Sequence, residues 1–305
     1  MEEVPKPTPN PDQVLVRASA IGVNRADLGR GGGRASTGEP FIPGLDVGGT
    51  IEAMGSEVVG WKEGDPVIAL VRGAYAEFVP ARAVLAYRPP EGMSITDAAS
   101  IPCVFLTAWY ALTGLAQMQP GETVLIHAAG SGVGTAAIQI ARVWGAHVLT
   151  SAGSDSKVAR GLELGAEAGV NYSTQDVTAE LQRLTEGRGV DVVLDSVGGA
   201  IFDATLKALA AGGRVVTVGG PAGARTELDQ TALQAQRQWV QAMGVFNEAA
   251  EDTDGAGWAR LKAWFEDGTM RPVIDSVLPW SQAEAAQGLL VDRSIFGKVV
   301  LTLGE

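Results

Sequence analysis

The residues best suited to chemistry form the run His127-Ala128-Ala129-Gly130-Ser131-Gly132-Val133-Gly134, between an apolar segment, Thr123 to Ala128, and a helical one, Val133 to Trp144. Within it, Gly132, Gly134 and Ala137 satisfy the spacing G-x-G-x-x-A. Small residues there let a strand-to-helix turn tighten, let the backbone approach a pyrophosphate and let the helix press onto its strand. The start of such a helix offers unbonded N–H groups and the positive end of the helix dipole to phosphates. The chemistry indicated is dinucleotide binding. A purely structural glycine turn is the plainer reading, and the strand-turn-helix context weighs against it.

The adenosine end of the ligand is read from Ser151-Ala152-Gly153-Ser154-Asp155-Ser156-Lys157. A site selective for NAD(H) wants a carboxylate about 20 residues after the loop, at the end of the second strand. That strand ends at Ala152-Gly153, with no acid. Asp155 lies past the strand and is read as a helix cap. Lys157 follows one turn later, where an ammonium meets a 2′-phosphate, although a solvated surface lysine is the alternative. The pattern favours NADP(H).

Metal chemistry is poorly supplied. Cys103 is the one cysteine, so no intrachain disulfide forms, and His127 and His147 are the only histidines. Neither a thiolate cluster nor a His-rich site can be built from that set. Lys plus Arg number 23 against 35 for Asp plus Glu, a formal charge of −12. Such a surface repels nucleic acid and anionic membranes unless a basic stripe offsets it, and none is found. Ala98 to Gly121 carries no charge. Pro102, Ser100, Thr107 and Thr113 interrupt it and no Lys or Arg flanks it, which indicates a buried helix rather than a membrane span. The N-terminus is acidic and contains Pro5, unlike a signal peptide, so a cytoplasmic protein is expected.

The elements that must position these groups follow from periodicity. At 305 residues the chain has room for about two domains. Gln13 to Ala20, Val47 to Met54, Val67 to Val71 and Gly73 to Val79 read as short strands punctuated by Gly and Pro, a small β-barrel-like domain. Ile95 to Ala116 reads as helix with a break near Pro102. From Thr123, apolar strands alternate with helices through Gly219, the pattern of a parallel, doubly wound sheet. The tail from Gly268 returns to short strands and one helix. The expected fold is α/β: a doubly wound Rossmann domain, residues 102–243, inserted in a barrel-like domain made of 1–101 and 244–305.

Four motifs together identify a resemblance: Asn24-Arg25-Ala26-Asp27-Leu28, Pro43-Gly44-Leu45-Asp46-Val47-Gly48-Gly49, the loop Ala-Ala-Gly-Ser-Gly-Val-Gly, and Asp195-Ser196-Val197-Gly198-Gly199. Nearly end to end, the chain resembles the zinc-independent quinone oxidoreductases of the medium-chain dehydrogenase/reductase superfamily. The resemblance implies a GroES-like catalytic domain plus a Rossmann domain, a homodimer, and NADPH in the cleft between the domains. By position, it places Asn24 and Asp27 at the nicotinamide, with Thr107 on the opposite wall. Ser131, Gly132 and Val133 would cradle the pyrophosphate, and Gly153, Lys157 and Tyr172 the 2′-phosphate. Ser196, Val218 and Gly219 would line the middle of the cofactor, Phe246 and Asn247 its nicotinamide amide, and Arg293 its adenosine phosphate.

Zinc-dependent relatives have cysteine where Asn24 stands and Gly-His-Glu where Gly44-Leu45-Asp46 stands, so the catalytic metal is missing by ligand count. Asp46 is read as a structural acid bonding nearby backbone. Cys103 is read as a small buried hydrophobe, and Trp258 and Trp264 as helical core. Two departures stand out. Family members usually begin with a further β-hairpin, absent here, which points to a misassigned start or an exposed barrel edge. They often carry tyrosine where Gly29 stands, and Gly29, leading into Gly31-Gly32-Gly33, has no side chain to donate a proton.

Without a metal to polarise a carbonyl, alcohol dehydrogenation is disfavoured. Hydride can still pass to an acceptor that is already electrophilic, a quinone or an activated C=C bond. Orientation, backbone N–H groups and the Asn24 amide are the expected aids. An enoyl-thioester reductase is the neighbouring alternative, with Arg25, Arg30 and Arg34 as candidate phosphate contacts. A different class is an NADPH-binding sensor with little turnover.

Overall fold

A computed structural model of the chain describes residues 2–28, 41–219, 228–252 and 254–304. Gly29, Arg30, Gly31-Gly32-Gly33 and Arg34, singled out above, lie outside the described residues. In chain order the first elements are β1 (Gln13–Val23), β2 (Asp46–Met54), β3 (Pro66–Leu70), β4 (Phe78–Arg82) and β5 (Ala86–Tyr87). Helices α1 (Ile95–Ala98) and α2 (Pro102–Trp109) follow, and a π-type turn, Tyr110–Leu115, continues α2. The alternating part runs β6 (Thr123–Ile126), α3 (Gly132–Val143), β7 (His147–Ala152), α4 (Asp155–Glu163), β8 (Ala168–Asn171) and α5 (Val177–Leu184). It continues through β9 (Val190–Asp195), α6 (Gly199–Leu206), β10 (Leu209–Val218), α7 (Gln230–Ala235) and β11 (Trp239–Met243). The remainder is α8 (Val245–Glu251), α9 (Ala256–Glu266), β12 (Ile274–Pro279), α10 (Ala283–Val291) and β13 (Lys298–Thr302).

These elements form two compact units, one of Met1–Leu106 with Ala249–Glu305, the other Thr107–Glu248. The division falls inside α2, a few residues past the expected 101/102, and five residues past 243/244 on the return. In the discontinuous unit, seven strands form one sheet in the order β12-β13-β1-β2-β3-β5, with β4 also paired to β1. β1 meets β2, β13 and β4, all antiparallel. A strand so enclosed is buried on both faces over its second half, so it runs on to Val23 rather than stopping at Ala20. Val14, Val16, Val47, Val67, Val79 and Leu301 are fully or almost fully buried in its core. Each such side chain contributes about 1.5–3 kcal/mol relative to exposure.

The expected strand from Gly73 begins only at Phe78. Gly73, Ala74 and Tyr75 instead turn back onto the loop at Pro43-Gly44: Gly73 N–H and Ala74 N–H donate to Gly44 O, and Tyr75 N–H to Pro43 O. Gly44 has φ of +106°, and a Cβ there would come within 2.4 Å of the Tyr75 ring. Only glycine tolerates both the conformation and the ring.

The contiguous unit is a six-stranded sheet, β11-β10-β9-β6-β7-β8, parallel at every pairing. Leu125, Leu149, Val170, Val193 and Val215 form much of its core. Strand order reverses between β6 and β9, so the ends of these two strands flank a topological switch point, where open α/β sheets bind ligands. The apolar stretch from Ala98 is spent on α1, α2 and the π-type turn, and no described helix is long and apolar enough to cross a membrane.

Candidate active site

In the contiguous unit, β6 delivers the chain to Ala128, held at φ of +56°, and the turn hands it to α3. Ser131 caps the helix by accepting Gly134 N–H at 2.9 Å. That leaves Gly132 and Val133 in the first turn, where backbone N–H groups have no partner within the helix. A Cβ at Gly134 would lie 2.2 Å from Ala128 O, so this glycine sets how closely helix and strand approach. Residues Gly134 through Ala141 are all buried, a broader face than the single stripe expected.

At the end of β7, Gly153 is exposed and its would-be Cβ meets the Tyr172 ring and hydroxyl at 3.1 to 3.4 Å. Tyr172 is fixed by its N–H to Ala152 O, and the next residue donates from Ser173 Oγ to Gly153 O. Lys157 sits in the first turn of α4, half-buried. Gly153 and Tyr172 thus meet where β7 and β8 end, with Lys157 just inside α4. The cap of α4 is Ser154, not Asp155 as expected. Asp155 instead accepts Asn171 Nδ2 at 2.7 Å and ties α4 to β8.

Ser196 follows β9, in a turn closed by Asp195, whose carboxylate accepts the N–H groups of Val197 and Gly198. Val218 ends β10, and Gly219 follows with φ of +73°. Phe246 and Asn247 were expected on an edge strand running from Met243. The strand stops at Met243, and both lie on α8, started by Asn247 N–H to Gly244 O. Thr107 is buried on α2 in this unit. Arg293 belongs to the other unit, exposed just past α10 at φ of +53°.

The discontinuous unit holds a polar cluster that is almost wholly buried. Asn24, Asp27, Asp46 and Lys298 are 6, 2, 0 and 4 % exposed. Lys298 Nζ donates to Val23 O at 3.0 Å, Asn24 Oδ1 at 2.7 Å and Asp46 Oδ2 at 2.9 Å, so all three hydrogens are used. Asp46 Oδ1 accepts Cys103 N–H at 2.6 Å, in keeping with a structural acid. Asn24 Nδ2 donates to Gly22 O and Asp46 Oδ2 at 3.1 and 2.9 Å. Both amide hydrogens are therefore engaged within the cluster. Lys298 was not singled out from sequence.

Asp27 differs from its neighbours. Its Oδ2 accepts Asn24 N–H at 2.8 Å and the Tyr75 hydroxyl at 3.3 Å. Its Oδ1 is buried with no hydrogen-bond partner. Burial, above all, pushes the Asp27 carboxyl up to about 6, with Asp46 adding to the rise and Asn24 N–H, Lys298 and Tyr75 opposing it. Burial and the Asp27 charge drive the Tyr75 hydroxyl well above its usual range, while a hydrogen bond with Gln287 works the other way. Buried carboxyls so perturbed concentrate at functional sites, which makes Asp27 a candidate.

The residues present do not fit zinc. Asp46 is matched by an ammonium, and Asn24 and Leu45 offer neither thiolate nor imidazole. Both nitrogens of His127 are engaged: Thr205 Oγ1 already donates to Ile201 O, so it accepts from Nε2 at 2.9 Å, and Nδ1 accepts from Ser151 at 2.6 Å. Burial holds that imidazole neutral. His147 pairs with Glu167 at the surface. Among the described residues, no three His, Cys, Asp or Glu side chains group as a metal site.

Family models match residues 10–90, as an alcohol dehydrogenase GroES-like domain, and 132–255, as a zinc-binding dehydrogenase. Quinone oxidoreductase of Sus scrofa is 32% identical over 308 residues, covering 99% of this chain and 92% of that protein. The chain belongs to the quinone oxidoreductases of the medium-chain dehydrogenase/reductase superfamily. Among solved structures similar to this family member, Escherichia coli quinone oxidoreductase complexed with NADPH has a TM-score of 0.88 at 27% identity, covering 99% of this chain and 94% of that one. The CurK enoyl reductase has a TM-score of 0.87 at 29% identity, with the same coverages.

Proposed function

We propose that the protein reduces quinones or activated C=C bonds with NADPH, without a metal. The observation that carries this reading is the pairing of a dinucleotide-type strand-turn-helix with a polar cluster whose metal-ligand positions are filled by Asn24, Leu45 and an ammonium-matched Asp46. NADPH, when bound, supplies the hydride. The chain supplies the rest. The first turn of α3 holds the pyrophosphate, and Gly153, Lys157 and Tyr172 hold the 2′-phosphate. Ser196, Val218 and Gly219, at strand ends, line the cofactor, and Thr107, Phe246, Asn247 and Arg293 take the roles that the resemblance implies. Asn24 holds Asp46 and Lys298 in place rather than touching the acceptor. An acceptor that needs no Lewis acid suits such a site.

The test is a panel of quinones, enones and enoyl thioesters, each with NADPH. Quinones and enones should be reduced at rates unaffected by chelators. Turnover confined to thioesters would move the assignment to an enoyl reductase, which the CurK likeness makes the second reading. No turnover at all, with NADPH bound, would leave a sensor.

A further inference from the structure

We propose that Tyr75 and Asp27 form a proton relay, in which Tyr75 hands its hydroxyl proton to the oxygen of the reduced acceptor and takes the Asp27 carboxyl proton in return. The proposal rests on the function proposed above and names the proton source that Gly29 lacks.

The hydrogen bonds support this. With Asp27 ionised, Tyr75 Oη donates to Asp27 Oδ2 and its hydrogen is held there. With Asp27 protonated on Oδ2, that bond reverses: the carboxyl donates, and the tyrosine hydrogen is released to point elsewhere. Tyr75 Oη can then accept from both Asp27 and Gln287 while donating outward, which uses its full capacity. Asp27 Oδ2 keeps Asn24 N–H as a donor in either state. Oδ1, without a partner, is less costly as the carbonyl of a neutral acid than as half of a carboxylate.

The surroundings hold this balance. Among the described residues, the charges facing Asp27 are Lys298 from β13 and Asp46 from β2, and these two are hydrogen-bonded to each other. α10 contributes neutral Gln287 and keeps Glu284 in solvent. Arg25, beside Asp27 in sequence, is exposed and donates to Leu290 O. Tyr75 itself is placed by the close approach to Gly44. Because burial raises the tyrosine, it gives up its proton only as another arrives, which a relay provides.

The step balances. Hydride brings two electrons to the acceptor, and negative charge gathers on its oxygen. The Tyr75 O–H bond breaks as the acceptor O–H forms, and the Asp27 O–H breaks as the Tyr75 O–H is restored. Asp27 regains a proton from water. One acceptor, one NADPH and one proton give the reduced product and NADP⁺.

Two measurements test the relay. Carbon-13 NMR titration of aspartate carboxyls in the cofactor-free protein should show one carboxyl titrating near 6. It should vanish in Asp27→Asn and move upward in Tyr75→Phe, which removes a hydrogen bond to the carboxylate. If every aspartate titrates in the ordinary range near 4, the relay is overturned. With a quinone and NADPH, kcat should fall as pH rises through the Asp27 transition. Tyr75→Phe should lower kcat about a hundredfold, leave KM and NADPH affinity unchanged, and lose that pH dependence. A Tyr75→Phe enzyme with unchanged kcat and pH profile also overturns it. Absence of turnover in the wild type would instead strike the proposed function, and the titration alone would then decide whether the pair holds its proton as described.

Discussion

Lys298 spends every ammonium hydrogen inside the protein, and one of its three partners is a fully buried carboxylate. Removing one member of a buried pair leaves the other uncompensated, which typically costs about 3–5 kcal/mol. Lys298→Met should lose stability of that order in urea denaturation. Adding Asp46→Asn should recover much of it, because the stranded charge is gone. Strictly additive losses would show that the two charges do not support each other. This residue also marks the limit of sequence reading. Asn24 and Asp27 are legible because they sit in one short motif. Lys298 meets Asn24 across 274 positions and Asp46 across 252, and no local pattern announces a lysine whose partners are that remote. Tyr75 is hidden in the same way: its alternating neighbours read as strand, and only the turn onto Gly44 shows that it is aimed at Asp27.

The crossover β7-α4-β8 carries the specificity argument at the level of elements. Its strand end has no carboxylate, Gly153 and Tyr172 meet there, and Lys157 stands in the first turn of the helix that follows. A charge-assisted hydrogen bond contributes on the order of 1.5–3 kcal/mol, roughly 10- to 100-fold in affinity. NADPH should therefore bind at least about tenfold more tightly than NADH in fluorescence titrations, and the gap should narrow with salt. Lys157→Ala should remove most of the gap by weakening NADPH alone. Equal weakening of both cofactors would make Lys157 a structural residue of α4. The elements of this unit were mostly legible, since each buried strand is followed by a helix of the right length. The exceptions have physical reasons. Val245 and Phe246 continue the apolar run of β11, and short apolar runs do not distinguish strand from helix. Asp155 has a capping residue's chemistry, but Ser154 precedes it and takes the position.

At the scale of the whole molecule, β11 is paired to β10 alone among the described strands, and its outer edge carries backbone groups suited to another strand. We expect a homodimer through that edge, from Trp239 to Met243, with α8 rather than a longer strand beside it. Light scattering at micromolar concentration should give twice the monomer mass, and Ala242→Pro, which removes a backbone donor from the edge strand, should shift it toward monomer. A monomeric wild type, with or without NADPH, contradicts the expectation. The interrupted unit has a consequence of another kind, for the order in which the chain is made. β1 leaves the ribosome early, yet Val23 waits for a lysine 275 positions later, and β13 completes its sheet. The inserted unit, contiguous in sequence, has all its strands available first. During synthesis the contiguous unit can therefore mature while the unit bearing Asp27 and Tyr75 is still an open sheet, and the polar cluster closes only once Lys298 has been translated.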